Sequence, residues 1–358
     1  MENKKTVVIG LSGGVDSAVA ALLLKKQGYN VIGAFMKNFS DTKNPITGEC
    51  AWRDEKRMAQ RIAILLNIQF VVFDFEKEYK TLVIDPMFKA YEKGLTPNPD
   101  IACNTIIKFP LFWKKALSIG ADYIAMGHYA SVKKTKNGFQ LFTGKDKSKD
   151  QSYFLAELSQ SDLSHTLFPL GNYTKELVRK IAKQNNFPNA EKKGTRGICF
   201  VGKVNMKSFL EKKIKNSKGI VKDPQGTIIG NHPGTSYFTI GQRIGPHLEI
   251  NIKKPKGKEQ EKWYIAQKNS KNILIVAPEN HPLLKRKEVS LKKLHLINPK
   301  EKIPSKLKAR IRHLGQFYWG TLVKNKFTFN NPVSSVAPGQ FLVLCSKNQV
   351  IGCGEIRL

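Results

Sequence analysis

Residues 6–130 alternate between buried-strand patterns and amphipathic-helix patterns, and this alternation constrains the fold more than any other feature. Thr6–Leu11 is typical of a short buried strand, and a helix with apolar residues at i, i+3, i+4 and i+7 follows it. Strand patterns return at Val31–Met36 and Ile68–Phe75. Thr105–Ile119 is typical of a helix interrupted near Pro110, Asn137-Gly138 indicates a β-hairpin, and Thr174 is expected to cap a helix that runs to about Asn185. Alternating strands and helices predict a parallel sheet covered by helices on both faces. We therefore expect a doubly wound α/β domain.

After about residue 205 the pattern changes to short β-like runs separated by Gly, Pro and Asn. Such runs with turn signals predict one or two small barrels or sandwiches. The runs are Gly226–Gly230, Tyr237–Ile240, Trp263–Gln267, Asn272–Val276, Leu307–His313, Phe341–Cys345 and Val350–Ile356. We expect three domains: a catalytic α/β domain at 1–205, a small central β domain at 206–284 and a C-terminal barrel-like domain at 285–358.

The chain is strongly basic. Its 358 residues include 60 Lys+Arg and 28 Asp+Glu, a formal net charge of +32. A field of that sign attracts polyanions, nucleic acid first and an anionic membrane surface second. Part of the excess of positive charge reflects a compositional preference for Lys, because the basic residues are spread along the chain and do not form one cluster. The charge therefore permits an RNA or DNA partner without proving one.

No segment predicts a membrane span or a secretory signal. The longest apolar run, Ala18–Leu24, is far short of the ~20 residues that a spanning helix needs. The N-terminal segment lacks a signal peptide's continuous apolar stretch and cleavage site. We expect a soluble, cytoplasmic protein with no membrane partner.

The five cysteines are Cys50, Cys103, Cys199, Cys345 and Cys353. Their number is odd, their spacing is wide, and they form no Cys-x-x-Cys pair, which disfavours a secreted disulfide framework and a zinc ribbon. In a reducing cytosol, a working cysteine acts as a thiolate or in a transient disulfide. Cys50 lies in a polar stretch without a reactive context.

A glycine-rich octapeptide lies between the first strand and the first helix. It consists of Gly10, Leu11, Ser12, Gly13, Gly14, Val15, Asp16 and Ser17. Glycines allow close backbone approach to a ligand, and a helix N-terminus offers unpaired N–H groups to phosphate. The octapeptide is neither a Walker A loop nor a dinucleotide fingerprint. Asp16 could hold Mg²⁺. The structural alternative is an ordinary tight turn.

Two further segments place cysteines beside features that could activate them. Pro97 and Pro99 stiffen the loop at Asn98–Asn104, and Thr105 begins the predicted helix, so Cys103 lies near a helix N-terminus that lowers a thiol pKa. Asp100 is close enough to act as an acid or base. In Gly194–Gly202, glycines and Arg196 surround Cys199. A packed hydrophobe at Cys103 and a buried strand at Cys199 are the alternatives.

The octapeptide matches the Ser-Gly-Gly-x-Asp-Ser pattern of the PP-loop ATP pyrophosphatases, which cleave ATP to AMP and pyrophosphate. With the two cysteine segments, the chain closely resembles the bacterial tRNA-specific 2-thiouridylases, nearly end to end. The other matching segments are Met126–Ala130, Lys149–Leu155, Phe168–Gly171, Tyr237–Gly241 and Gly352–Glu355. The resemblance implies an adenine nucleotide alpha hydrolase-like α/β domain, followed by two mostly-β domains whose last member contacts tRNA.

The resemblance also implies a mechanism. The octapeptide, with Met36 and Gly127, would bind ATP, and the oxygen on carbon 2 of the wobble uridine would be adenylated. Cys199 would carry a persulfide sulfur to that carbon, and Cys103 would assist as nucleophile or by a transient disulfide with Cys199. The segment Asn98, Pro99 and Asp100 would face the base, which must leave its stack. The implied tRNA contacts are Lys149, Asp150, Gln151, Arg312 and His313.

The implied partners are tRNAs for Lys, Glu and Gln, and either a sulfur-relay protein or a cysteine desulfurase. ATP and Mg²⁺ are the implied small-molecule requirements, and an iron–sulfur cluster is possible but not favoured. Two other classes of function share part of the pattern. An amidating PP-loop ligase would use Gly10–Ser17 but has no need of the two cysteines. A non-enzymatic basic RNA-binding protein would not need an intact phosphate loop.

Overall fold

The computed structural model describes residues 4–40, 51–192, 206–245, 248–254, 256–257, 259–269 and 271–358. Within these ranges the helices are α1 Val15–Lys26, α2 Ala51–Leu65, α3 Glu76–Tyr79, α4 Asp85–Glu92, α5 Pro99–Ala102, α6 Phe112–Leu117, α7 Gln160–Ser164, α8 Lys175–Gln184 and α9 Met206–Glu211. Wider π-helical turns at Lys80–Ile84 and Cys103–Leu111 join α3 to α4 and α5 to α6.

The strands in the described part of the chain are β1 Thr6–Gly10, β2 Asn30–Lys37, β3 Gln69–Asp74, β4 Tyr123–Ala125, β5 Ala130–Thr135, β6 Gly138–Thr143, β7 Thr166–Leu167, β8 Gly219–Lys222, β9 Ile228–His232, β10 Asn251–Ile252, β11 Trp263–Lys268, β12 Ile273–Pro278, β13 Lys285–Leu296, β14 Leu307–Arg310, β15 Tyr318–Val323, β16 Lys326–Ser334, β17 Phe341–Ser346 and β18 Gln349–Arg357.

The first sheet is parallel, in the order β3-β2-β1-β4-β7. The chain adds β2 and β3 on one side of β1 and then crosses over to place β4 on the other side. The loops after β1 and β4 therefore leave the sheet at its topological switch point, where open α/β sheets bind ligands. The expected α/β class is confirmed.

Helices cover both faces of this sheet, as a doubly wound fold requires. Val7 and Ile9 pack into one buried cluster with residues of α1, α2 and α8. Val8 points the other way, into a cluster with the helices between residues 76 and 117. The side chains of Val7, Val8 and Ile9 have no exposed surface. Burial on both faces explains why β1 is a continuous apolar run instead of an alternating one.

The helical segment containing Cys103 begins earlier than the sequence predicted. Asn98 caps it by accepting a hydrogen bond from the Ile101 N–H at 3.1 Å, so the helix starts at Pro99 and not at Thr105. The predicted interruption near Pro110 takes the form of the π-helical turn, in which the proline lies inside a continuous helix. A wider turn accommodates the missing N–H and the ring of a proline.

The central region forms a mixed sheet in the order β10-β9-β8-β12-β11. Of the predicted strands, Trp263–Gln267 and Asn272–Val276 correspond to β11 and β12. The strand predicted at Tyr237–Ile240 is wrong, because Thr235–Tyr237 is a 3₁₀ turn. This turn is anchored by the Tyr237 hydroxyl, which donates to the Ile214 carbonyl at 2.6 Å.

The C-terminal strands close into an antiparallel barrel, β13-β16-β15-β14-β17-β18, because β18 also pairs with β13. The predicted hairpin at Asn137-Gly138 is confirmed as β5–β6. This hairpin belongs to the α/β part of the chain, yet β6 pairs with β18 through Gln349↔Phe142 and Val350↔Leu141. The α/β domain and the barrel therefore share one eight-stranded sheet.

Among the described residues, no helix combines the length and apolar character needed to cross a bilayer.

Candidate active site

The glycine-rich octapeptide forms the turn from β1 into α1. Gly14 is the N-cap of α1, and it has no side chain to bond the first amides of the helix. Inside the turn, the Ser12 N–H donates to the Ser17 hydroxyl at 3.2 Å, and that hydroxyl donates to the Gly14 carbonyl at 3.0 Å. The unpaired amides and the positive end of the helix dipole are suited to an anionic phosphate group.

Two glycines of the site, Gly13 and Gly127, are required by close approach to backbone atoms. Gly13 has φ +72°, and a Cβ there would lie 2.5 Å from the Glu55 carbonyl oxygen. A Cβ on Gly127 would lie 2.9 Å from the Ser17 amide nitrogen. A Cβ on Gly10 would meet the side chains of Met126 and Met36. The structure thus brings Met36 and Gly127, both predicted ATP-site residues, against the phosphate loop.

Asp16 lies in the first turn of α1 and is held by two side chains from distant segments. The Lys175 ammonium donates to both carboxylate oxygens, at 2.6 and 2.7 Å, and the Tyr129 hydroxyl donates to Oδ1 at 2.7 Å. Tyr129 is buried, and burial together with the Asp16 charge raises its pKa, so the phenol stays protonated and donating. This cluster places one cation, Lys175, at the edge of the phosphate loop.

The fit of Mg²⁺ to this cluster follows from its donor chemistry. A carboxylate oxygen is a ligand that Mg²⁺ accepts together with substrate phosphates, and Asp16 is about one-third exposed. However, Lys175 already supplies the positive charge that offsets the repulsion between Asp16 and phosphate. Repulsion between Asp16 and phosphate therefore does not by itself require Mg²⁺. Within the described ranges, no group of three His, Cys, Asp or Glu side chains could hold a metal ion.

The predicted base-binding residues Asn98, Pro99 and Asp100 form the first turn of the capped helix. Asp100 is half-buried in the second helical position. Asn98 does more than cap, since its Nδ2 donates to Gln340 Oε1 at 3.3 Å. The Gln340 amide in turn donates to the carbonyls of Thr96 and Pro97, at 2.9 and 3.2 Å. The C-terminal barrel thus holds the predicted base-binding loop in place.

Cys103 lies one turn inside this helix and not at its first residue. Its side chain has no exposed surface and belongs to the buried cluster beneath the sheet. In this conformation the thiol reaches a ligand only after the surrounding residues move. Cys199 lies outside the described residues, and so does Cys50. Cys345 and Cys353 are buried in the barrel, and burial raises the pKa of both thiols.

The predicted tRNA contacts come from two segments that are far apart in the sequence, 149–151 and 312–313. Lys149 and Arg312 are exposed, whereas His313 is half-buried and packs on Phe154 with ring centroids 4.3 Å apart. Burial lowers the pKa of His313 to about 4, so its ring is neutral. The Gln151 side-chain oxygen accepts from the Tyr129 N–H at 3.1 Å. The contacts of His313 with Phe154 and of Arg310 with Asp150 bring the segments 149–151 and 312–313 close together.

Asp150 is the exception in this set, because its side chain has no exposed surface. It accepts hydrogen bonds from the amides of Gly144 and Ser152, and Arg310 donates to its Oδ2 at 2.7 Å. The Asp150 side chain is fully buried, and the Arg310 side chain is nearly so. In this conformation Asp150 joins the α/β domain to the barrel, and it presents nothing to RNA.

Sequence reasoning missed several residues that the site uses: Lys175, Asn189, Arg310 and Gln340. Asn189 is buried and donates to the Gly13 carbonyl at 3.1 Å, with its own Oδ1 left without a partner. Each reaches the site from a distant part of the chain. The one available signal was Thr174, correctly predicted to cap α8, which fixes Lys175 at the first position of that helix.

Comparison with known proteins assigns the family. Three family models match: one described as a tRNA methyl transferase HUP domain at residues 5–203, a tRNA methyl transferase PRC-barrel domain at 207–278 and an aminomethyltransferase beta-barrel domain at 286–356. The tRNA-specific 2-thiouridylase MnmA 2 of Aliarcobacter butzleri is 42% identical over 99% of each chain. The chain belongs to the tRNA-specific 2-thiouridylase family.

Other 2-thiouridylases show the same full-length similarity. The MnmA proteins of Karelsulcia muelleri and of Geobacillus kaustophilus (MnmA 1) are each 41% identical, covering 99% of this chain and 99% and 95% of their own. Among solved structures, an NMN synthetase from Francisella tularensis covers 54% of this chain and 67% of its own, at 18% identity and a TM-score of 0.35. That likeness is too low to carry an argument.

Proposed function

We propose that this member of the 2-thiouridylase family is an ATP-dependent tRNA uridine 2-sulfurtransferase. It replaces the oxygen on carbon 2 of the wobble uridine by sulfur and produces AMP and pyrophosphate. The observation that carries the proposal is the intact phosphate loop at the switch point of the sheet. The names of relatives at about 40% identity over the full length support it.

In the first step, the uridine O2 attacks the α-phosphorus of ATP and pyrophosphate leaves. The N-terminal amides of α1 and the hydroxyls of Ser12 and Ser17 bind the phosphates and stabilise the departing charge. Lys175 is placed to take part of that charge. Mg²⁺, held through Asp16, supplies further charge neutralisation when it is bound. Adenylation converts O2 into a good leaving group.

In the second step, the terminal sulfur of a persulfide on Cys199 attacks carbon 2, and AMP leaves. The Cys103 thiolate then attacks the Cys199 sulfur. The S–S bond to the transferred sulfur breaks, 2-thiouridine is released, and a Cys103–Cys199 disulfide remains. A thiol reductant restores the two thiols, and a donor protein reloads Cys199. Because Cys103 is buried, this step requires the Asn98–Asn104 helix turn to move when tRNA binds.

The remaining assignments extend this proposal. The sulfur donor is a sulfur-relay protein or a cysteine desulfurase, the substrates are tRNAs for Lys, Glu and Gln, and the reaction takes place in the cytoplasm. The working division of the chain is 1–205, 206–284 and 285–358. The exposed Lys149 and Arg312 provide charge for tRNA phosphates, and His313 packs on Phe154.

Two cysteine variants separate activation of the base from delivery of sulfur. Adenylation makes no demand on the Cys199 sulfur, so Cys199→Ser should still release pyrophosphate in a tRNA-dependent way while forming no 2-thiouridine. A hydroxyl cannot carry a sulfane sulfur. Cys103→Ser should also lose thiolation, but it should still accept a labelled persulfide sulfur at Cys199.

The measurement is transfer of radiolabelled sulfur beside a pyrophosphate assay, with Cys50→Ser as the matched control. Thiolation by Cys199→Ser at the wild-type rate would show that Cys199 does not carry the persulfide. Pyrophosphate release that needs ammonia and a small acid instead of tRNA would identify an amidating ligase.

A further inference from the structure

The C-terminal barrel contains a long stretch without acidic residues. From 302 to 354 the sequence has no Asp or Glu, and it carries eight cations: Lys302, Lys306, Lys308, Arg310, Arg312, Lys324, Lys326 and Lys347. The stretch includes β14 and β15, which pair with each other in the barrel wall. Arg310 and Lys326 are ion-paired with Asp150 and Glu288, and the charge of the other six cations attracts a polyanion.

Cations and aromatic rings alternate along the outer face of β14 and β15. Lys308 lies directly across from Trp319 in the strand register, and its ammonium is 5.0 Å from the centre of the Trp319 ring. The same ammonium is 5.9 Å from the Phe317 ring, and the Arg310 guanidinium stacks 3.9 Å from that ring. We call the row formed by Arg310, Phe317, Lys308 and Trp319 the cation–aromatic ladder.

The two ends of the ladder differ in exposure. Arg310 is buried in its ion pair with Asp150, next to the segment Lys149–Gln151. Trp319 is 51% exposed, an unusual position for the largest aromatic side chain. Lys306, Trp319, Gly320 and Asn330 line a recess of about 390 Å³ beside the ring. The recess is within the size range of small-ligand pockets.

We propose that Trp319 and this recess bind an unpaired nucleotide of the substrate tRNA, outside the catalytic site. The base stacks on the indole, and its phosphates contact Lys306 and Lys308. This inference rests on the proposed function, which supplies RNA as the polyanion. The ladder connects the subsite to the predicted tRNA contacts. Lys306 is at the subsite, and Arg310, about 13 Å farther along the chain, lies next to the segment Lys149–Gln151.

The occupant is an unpaired nucleotide because a base in a duplex offers no free face to an indole. Single-stranded nucleic acid binds where aromatic side chains lie in a positively charged groove, and each stacked base contributes about 1–3 kcal/mol. Cation–π contact with Lys308 holds the indole while leaving about half of its surface free.

The test compares three variants of the full-length protein in tRNA binding and thiolation. Trp319→Ala removes the stacking surface and should raise the Kd for tRNA by roughly 5- to 150-fold, the range that corresponds to one stacked base. Trp319→Phe keeps an aromatic face and should recover most of the affinity. Val323→Ala removes an exposed apolar side chain from the same strand and is the matched control.

A second measurement identifies the ligand. Quenching of tryptophan fluorescence by a short single-stranded RNA should be strong in the wild type and weaker in Trp319→Phe, and a blunt RNA duplex should not reproduce it. If Trp319→Ala binds tRNA with unchanged affinity while the wild-type protein thiolates tRNA, the subsite is overturned and the proposed function stands. A folded wild-type protein that neither binds nor thiolates tRNA would instead overturn the proposed function. Thermal unfolding of each variant shows whether a loss arises from misfolding.

Discussion

At the scale of single residues, the charge balance at Asp16 decides how the phosphate loop meets its ligand. A carboxylate in the first turn of a helix is favoured by the helix dipole, but it repels phosphate. Lys175, which is 16% exposed, neutralises it through two short hydrogen bonds. The pair can open when a phosphate arrives, because the ammonium can then bond the ligand in place of one carboxylate oxygen.

We expect Lys175→Met to lower tRNA-dependent pyrophosphate release by roughly 100-fold, as loss of one charge-stabilising donor does in other active sites. Circular dichroism should show that the fold is retained. The matched control is Lys180→Met, an exposed lysine on the same helix α8. Equal activity of the two variants would limit Lys175 to a structural contact with Asp16.

His313 gives a prediction with a defined pH window. Burial lowers the pKa of its imidazole to about 4, whereas an unfolded histidine titrates near 6.5. As the pH falls from 6.5 to 4, the unfolded chain gains a proton that the folded chain does not, so the free energy of unfolding decreases. In His313→Gln, urea midpoints at pH 7 and pH 5 should differ less than in the wild type. An identical difference in both proteins would show that the ring titrates normally.

At the scale of elements, one helix turn links the barrel to the segment that carries Cys103. Asn98 caps the helix that carries Cys103, and the same side chain donates to Gln340 in the loop before β17. Gly339 has φ +89°, and a Cβ there would lie 3.0 Å from the Thr96 amide nitrogen. The two loops are therefore in close contact, and the loop before β17 supports the Asn98 cap directly.

Two substitutions at Asn98 separate capping from this contact. Asn98→Ala removes both and should cost about 1 kcal/mol of stability. Asn98→Asp keeps an oxygen that accepts from Ile101, so stability should recover, but the donor to Gln340 is lost. We expect neither variant to thiolate at the wild-type rate, while both bind ATP normally. Denaturant unfolding and a thiolation assay check this, and full activity of Asn98→Asp would show that the Gln340 contact is dispensable.

At the scale of the whole molecule, the α/β domain and the barrel are joined more tightly than a linker would join them. The hairpin β5–β6 extends the barrel sheet, and the buried ion pair Asp150–Arg310 spans the same junction. The Tyr153 hydroxyl adds a hydrogen bond to the Phe341 carbonyl at 2.9 Å. The barrel is thereby held in a fixed position relative to the phosphate loop.

The net charge of +32 predicts that tRNA binding weakens steeply with salt. The logarithm of affinity should fall against the logarithm of salt concentration with a slope of about −0.7 to −0.9 per phosphate contact. Arg312→Glu should weaken tRNA binding and leave ATP binding unchanged. Lys26→Glu, at the far end of α1, changes the net charge equally and is the control. Affinity that does not respond to salt would contradict an electrostatic role for the basic surface.

The sequence alone determined the features that depend on local spacing. The strand–loop–helix order of residues 6–26 follows from apolar period and glycine placement, and the hairpin at Asn137-Gly138 and the cap at Thr174 follow from turn and capping chemistry. The resemblance of the combined motifs to the bacterial tRNA-specific 2-thiouridylases indicated the family. The long strand β13 and the strands β15 and β16 were missed, because their mixed polar and apolar residues lack a clean alternation.

The tertiary structure decided every contact that joins distant parts of the chain. Lys175 meets Asp16 across 159 residues, and Arg310 meets Asp150 across 160. Neither pair is encoded by a period or a short motif, since each depends on how the sheets and the barrel are assembled. The burial of Cys103 and Asp150 has the same origin: a residue's place in a motif fixes its chemistry, whereas its exposure is fixed by what packs over it.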